Sequence, residues 1–201
     1  MASSLRLART LRSAAFGLIN RLRRPLTRLQ LRKYDKLHLG AGGYQLDGWA
    51  NLDLVGRRNL IWDLTRPLPM PAHVKFVYSQ HFIEHIPRDV ALKLLRNAHA
   101  SMAKDGVMRI STPDLRLFSQ AYLSGEVPPL WTERNPCRFF NELMRNWGHT
   151  FLYDEEELTA LLTEAGFRTV RRMKRNESDH AELRDLEIRP DQLDLIVEAQ
   201  P

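Results

Sequence analysis

Cysteine is nearly absent: Cys137 stands alone among 201 residues, so no intramolecular disulfide can hold this chain together. That agrees with a reducing compartment, and a lone cysteine reads as a small buried apolar residue. Long apolar runs are missing as well. The longest in the N-terminal stretch, residues 14–19, falls far short of the roughly 20 residues a membrane-spanning helix needs. A secretory signal fits poorly, because Arg21, Arg23 and Arg24 close off the apolar segment and no small-residue cleavage site follows. There is no internal repeat and no low-complexity tract.

Acidic residues are missing from residues 1–34, which carry nine basic side chains. The formal net charge of +6 therefore belongs to this tail. The remaining body holds 21 basic against 24 acidic residues, so it gives no global reason to expect nucleic acid. The expected organisation is a basic tail over residues 1–34 and one domain over 35–201.

Read as a helix, the tail places Leu7, Leu11, Ala14, Ala15, Leu18, Ile19 and Leu22 on one stripe, with Arg6, Arg9, Arg23 and Arg24 opposite. Pro25 ends the pattern. A helix of this kind, over residues 3–24, suits peripheral contact with an anionic membrane surface. The same Arg-rich, acid-free pattern describes a mitochondrial transit peptide. A stripe packed on the domain, or a disordered segment, is the plain alternative. The expected location is cytoplasmic, with membrane association or, in a eukaryote, mitochondrial import left open by the tail.

From Lys36 onward, strands and helices alternate as a parallel sheet requires. Strands are expected over residues 36–39, 50–54, 60–63, 75–79, 106–111, 169–174 and 193–199. A helix over residues 87–103 takes Pro87 in its first turn and turns Val90, Leu94, Leu95, Ala98 and Met102 inward. Another opens at Asp154, where Asp154 and Glu157 make a capping-box-like start and Gly166 closes it. Shorter helices fit residues 114–123 and 136–147, and the loop between them is long enough to wall a pocket. The class is α/β, with seven strands, mostly parallel, and an antiparallel hairpin strand at the C-terminus.

The chemistry begins at LHLGAGGYQLDGWANLD. A hydrophobic strand runs into Gly40, Ala41, Gly42 and Gly43, where backbone without Cβ atoms turns sharply and approaches a nucleotide-like ligand. Asp53, at the tip of the next strand, has the chemistry to accept hydrogen bonds from ribose hydroxyls. Alone this is a weak signal, since the strict dinucleotide spacing is absent. Asp63 ends the third strand in IWDLTRPLP, and YSQHFIEHI ends the fourth. In an open parallel sheet those strand ends line one crevice.

Taken in order, LHLGAGG, GWANLD, WDLTRPLP, YSQHFIEHI, the run from KDGVMRI to STPDL, and YDEEELTALLTEAGF resemble small S-adenosylmethionine (SAM)-dependent methyltransferase-like proteins. The resemblance is to the methyltransferase type 11 group, in compact members found near cell-surface polysaccharide genes, and covers about residues 36–201. It implies a Rossmann-like fold with SAM as cofactor. It implies that Gly40, Ala41 and Gly42 cradle the methionine part, that Asp53 holds the ribose, and that Asp63 with Leu64 contacts the adenine. Ser79 and Gln80 would line the methyl-donor side. His38 departs from the group, many members having an acid two residues before the first glycine. The short interval after the glycines implies a truncated first helix.

Methyl transfer to an oxygen needs aligned partners and a base. His81, His85 and Asp114 follow the fourth and fifth strands and are the base candidates; helix capping is the plain alternative for His85 with Glu84 and for Asp114. His149 is a further pocket candidate. Arg134, Arg138 and Arg145 suit an anionic substrate or simply a solvated face, while Trp131 and Trp147 suit core or lid packing more than sugar stacking. The expected function is SAM-dependent methyl transfer to a small-molecule acceptor of small polar or sugar type. The rival is a non-catalytic module docked to a membrane or partner through its tail. His81-x-x-Glu84-His85 also spells a zinc-peptidase pattern, but Pro87 leaves its helix no room, so no metal is expected.

Overall fold

The computed structural model describes residues 25–54, 56, 59–68, 71–145, 147–189 and 193–201. The tail's expected amphipathic stripe lies outside the described residues. Seven strands form one sheet: β1 (Lys36–Leu39), β2 (Ala50–Asp53), β3 (Leu60–Ile61), β4 (Val74–Gln80), β5 (Met102–Pro113), β6 (Thr169–Arg172) and β7 (Asp194–Gln200). Their order is β3-β2-β1-β4-β5-β7-β6. The first five are mutually parallel, and β7 runs antiparallel to both β5 and β6. The order reverses at β1 and β4, which opens the crevice at their carboxyl ends.

One face of the sheet is covered by helices. Residues 25–31 form α1, and α2 (Arg88–Ser101) and α5 (Glu155–Ala165) lie across the centre. Pro87 stands at the N-cap of α2, where its missing N–H costs no intrahelical bond. Ala91, Leu92, Leu94, Leu95 and Ala98 turn into the core, and Met102, expected on the helix, begins β5 instead. The expected caps of α5 are both formed. Asp154 accepts the Glu157 N–H at 2.9 Å, and Gly166 adopts φ 114° with its N–H on the Thr163 carbonyl.

Leu31 is fully buried in this same core, and Thr27 Oγ1 donates to the Ile61 carbonyl. The tail drawn to residue 34 therefore overlaps the folded unit, because α1 supplies part of its apolar interior.

Among the described residues the other face carries no long helix. Trp49, Tyr78, Val107, Leu183 and Leu186 form its core, with the irregular segment 174–189 laid over the sheet. Arg109, on β5, is fully buried and ties that segment down. Its Nε donates to Glu187 at 2.7 Å and its Nη2 to the same carboxylate at 2.9 Å, while Nη1 reaches Glu198 at 2.7 Å. Its remaining donors meet the carbonyls of Glu177 and Lys174. With its fork satisfied, the buried charge keeps the desolvation cost compensated.

Between β5 and α5 the chain makes the expected excursion, as α3 (Leu115–Ser124) and α4 (Pro136–Arg145) around Phe118, Ala121, Trp131, Phe139 and Leu143. Cys137, expected inside, is exposed: Phe139 and Leu143 make the inward stripe of α4, and Cys137 falls off it. Among the described residues no helix is long and apolar enough to cross a membrane.

Candidate active site

At the end of β1 the chain turns through Gly40 (φ 71°) and Gly42 (φ 55°). The N–H groups of Gly40 and Ala41 both donate to the Leu52 carbonyl at 3.0 Å. Gly42 N–H donates to Asp53 Oδ2 at 2.8 Å, so the carboxylate stands at the lip of the turn. Asn59 Nδ2 closes the same corner on the Gly42 carbonyl at 2.9 Å. The truncated helix expected here is reduced further, to turns alone. Asn51 pins them: its Oδ1 accepts the Leu46 N–H, and its Nδ2 donates to the carbonyls of Leu46 and Trp49.

The two glycines serve different ends. A Cβ on Gly40 would lie 2.5 Å from the Phe82 side chain, whereas one on Gly42 or Gly43 would meet nothing within 4 Å. Room for a ligand therefore lies over Gly42 and Gly43, and Phe82 walls the space over Gly40. Ser79 pairs in register with Leu39, immediately before the turn. Ser79 and Gln80 are buried, and Ser79 Oγ and Gln80 Nε2 have no hydrogen-bond partner among the described residues. Buried polar atoms left without partners beside an open glycine turn fit a bound polar cofactor such as SAM.

Asp63 follows β3 at the same edge of the sheet. Its carboxylate accepts from the Thr65 N–H (3.1 Å), Thr65 Oγ1 (2.5 Å) and Arg66 Nε (3.0 Å). Leu64 is buried in the main core, so its side chain faces away from the crevice and only its backbone is left for an adenine contact. His38 belongs to sheet packing, with Nδ1 3.0 Å from Asn51 Oδ1 and its ring against Tyr78. Burial lowers its pKa below the ordinary histidine value, against the opposing hydrogen bond that its ring donates to Asn51 Oδ1.

Beyond β4 and β5 lies a cavity of about 340 Å³, lined by His81, Glu84, His85, Phe118, Trp131, Trp147, His149 and Arg189 among others. His81 sits at φ 51° with its ring between two carboxylates: Nδ1 is 3.3 Å from Glu84 Oε1 and Nε2 is 3.0 Å from Asp194 Oδ1. Burial opposes its charge, but the two acids outweigh that and raise its pKa to about 9. His81 is thus an imidazolium at neutral pH, with no lone pair to take a proton. Glu84, fully buried, is pushed up by burial yet held below the usual carboxylate range by His81.

Asp114 is also committed. It caps α3 by accepting the N–H groups of Arg116 and Leu117, and its Oδ2 receives Arg172 at 2.8 Å. His85 ends the 3-10 turn Ile83–His85, and its ring lies 4.9 Å from that of His149. Neither Glu84 nor His85 caps α2, whose N-cap is Pro87. His149 has Nδ1 2.5 Å from the Leu143 carbonyl, and burial lowers its pKa, so it is neutral at neutral pH. His149, expected as a pocket candidate, stands in the cavity lining with its ring bonded to a backbone carbonyl.

His81 precedes the three-residue turn and does not share a helix face with His85, so the peptidase pattern has no structural counterpart. The excursion arginines do not line the cavity. Arg134 donates to the carbonyls of Val127, Pro128 and Pro129, and Arg138 pairs with Glu133. The arginine in the cavity wall is Arg189, overlooked in the sequence, with its guanidinium 5.8 Å above the Tyr44 ring beside the glycine turn. Asp194 was overlooked for the same reason: both come from the far end of the chain.

An open sheet with its crevice at the β1–β4 reversal, a glycine turn met by a carboxylate, and a cavity alongside define a Rossmann-like transferase. Residues 23–172 match the model of a methyltransferase domain family, and the chain belongs to that family, whose methyl donor is SAM. In fold it is similar to a possible exported protein from Bordetella parapertussis (TM-score 0.52, 14% identity, 90% of this chain and 67% of that one). It is also similar to a SAM-dependent methyltransferase from Archaeoglobus fulgidus (TM-score 0.49, 16% identity, 89% and 94%). A third similar structure is PigF with SAH, the demethylated product (TM-score 0.43, 11% identity, 69% and 34%), so the chain spans about a third of PigF's length. No curated protein matches the sequence.

Proposed function

We propose that this chain transfers a methyl group from SAM to a hydroxyl of a small polar, sugar-type acceptor seated in the cavity beyond β4 and β5. The observation that carries the reading is the continuity of β4. Ser79 and Gln80 lie beside the glycine turn, and His81, Glu84 and His85 follow directly in the cavity wall. Donor and acceptor spaces thus share one strand end.

When bound, SAM supplies an electrophilic methyl on a sulfonium, displaced in line. The chain's own contribution is placement, worth up to about 7–11 kcal/mol when two reactants are held in line. Asp53 accepts from the ribose hydroxyls, Ser79 and Gln80 meet the donor side, and the open backbone of Gly42 and Gly43 admits the methionine part. Trp147, exposed at the cavity wall beside Trp131, gives an aromatic surface for the C–H face of a sugar. The Trp131 N–H, buried and without a partner among the described residues, and Arg189 supply donors for acceptor oxygens. Removal of the hydroxyl proton falls to the His85–His149 corner, because His81 and Asp114 are held by other charges.

The test is methyl transfer from labelled SAM to a panel of sugars and small polar metabolites. The expected result is label in a sugar-type product, reduced by at least about tenfold in both Asp53→Ala and His149→Ala. SAH binding with no label in any acceptor would instead favour the non-catalytic module.

A further inference from the structure

We propose that Glu84, His85 and His149 form a binding site for a divalent transition metal of the zinc class, set in the wall of the acceptor cavity. One donor atom of each residue lies within 4.8 Å of the other two. Two imidazole nitrogens and one carboxylate oxygen suit borderline cations, and three protein ligands with an open position mark reactive rather than structural sites. The open position here faces the cavity of about 340 Å³. Bonds of about 2.0–2.2 Å draw ligand atoms to roughly 3.5 Å apart, so closure asks for about 1 Å of side-chain movement.

The surroundings are built for the purpose. The Leu143 carbonyl takes the Nδ1–H of His149, which leaves the lone pair on Nε2. Thr112 Oγ1 donates to Glu84 Oε2 at 3.0 Å and fixes the carboxylate. Thr150 N–H and Phe151 N–H donate to the Glu84 carbonyl, so the segment carrying His149 is tied to the residue it faces. Glu84 is fully buried, with His81 Nδ1 3.3 Å from its Oε1 and Thr112 Oγ1 on its Oε2, so the carboxylate is held in one orientation beside the two histidines.

The inference rests on the cavity being the acceptor site, and it names how the His85–His149 corner acts. An acceptor hydroxyl bound to the cation would give its proton to solvent water in the cavity more readily than a free hydroxyl, and its oxygen would take the methyl as the sulfonium leaves as neutral SAH. His81, turned to its two acids, is no ligand; it neutralises the carboxylates behind the site.

The full chain, stripped with chelator, is titrated calorimetrically with zinc and with magnesium, and cobalt(II) absorption is recorded. The expected result is one zinc per chain, a tetrahedral cobalt spectrum, and zinc affinity weakened by at least about tenfold in His85→Ala and in His149→Ala. His73→Asn, at an exposed histidine away from the cavity, keeps the parent affinity. Should either alanine variant fail to fold, the cobalt spectrum of the parent chain decides, an octahedral spectrum overturning the proposal. Absence of stoichiometric zinc, a preference for magnesium, or unchanged affinity in folded variants also overturns it. SAH is titrated into the same samples: SAH without zinc removes this site and leaves the methyltransferase reading standing, and zinc without SAH does the reverse.

Discussion

Raising the pH should unfasten the His81 clamp. Its pKa in the fold is about 9 against 6.5 when unconstrained, so the protonated ring stabilises the fold fully below 6.5, and the contribution is lost as pH climbs through 9. The difference corresponds to roughly 3 kcal/mol. The side chain is only 5% exposed, so solvent screens little of it. The same contact holds Glu84 low, and it is counted once. The window from about 6.5 to 9 isolates this group: His38 and His149 have lowered values and exchange their protons below it, and Tyr78 and Tyr153, raised by burial, cost stability only as pH nears 10, where the unfolded phenols ionise.

Urea unfolding followed by fluorescence between about pH 6 and pH 9 measures the effect. With a urea slope of about 1–3 kcal/mol/M, the midpoint should fall by about 1–3 M across the window. His81→Asn, which tolerates the positive φ, should start lower and stay flat across it. A parent midpoint that does not move, or one that falls equally in His81→Asn, would refute the reasoning.

Arg109→Met leaves Glu187 and Glu198 as buried acids without their cation and should cost about 3–5 kcal/mol by denaturant unfolding, loosening segment 174–189. Gly40→Ala meets Phe82 at 2.5 Å and places a Cβ at φ 71°, so its melting temperature should drop by several degrees. Adding Phe82→Ala should restore the steric part of that loss and leave the backbone part. Asp154→Ala removes the cap of α5 and should cost about 1 kcal/mol at neutral pH without altering SAH binding.

The strands and caps were legible because they are local. Lys36–Leu39, the Asp154–Glu157 start and the Gly166 stop are each written within a few residues, and the structure agrees to within a residue at all three. The placement of Asp53 against the glycine turn followed from the strand-end rule for parallel sheets. What stayed hidden depends on distant partners. Arg109 sits in a strand among apolar residues, and nothing near it announces Glu187 or Glu198. His81 was one of three base candidates in the sequence, and the acids that keep it protonated could not be foreseen, since Asp194 belongs to the last strand. His85 and His149 were both visible as candidates, but their meeting depends on the Thr150 and Phe151 bonds to Glu84. Phe82 walls one glycine while another stays open, a difference that spacing cannot express.

Calorimetric titration of SAH into the parent chain and into Asp53→Ala tests most directly whether the glycine turn and its carboxylate hold the cofactor. One SAH per parent chain is predicted, with affinity at least about tenfold weaker in Asp53→Ala and a melting temperature lower by no more than a few degrees, for the lost Gly42 bond. No heat from the parent chain, or equal affinity in the two proteins, would contradict the account.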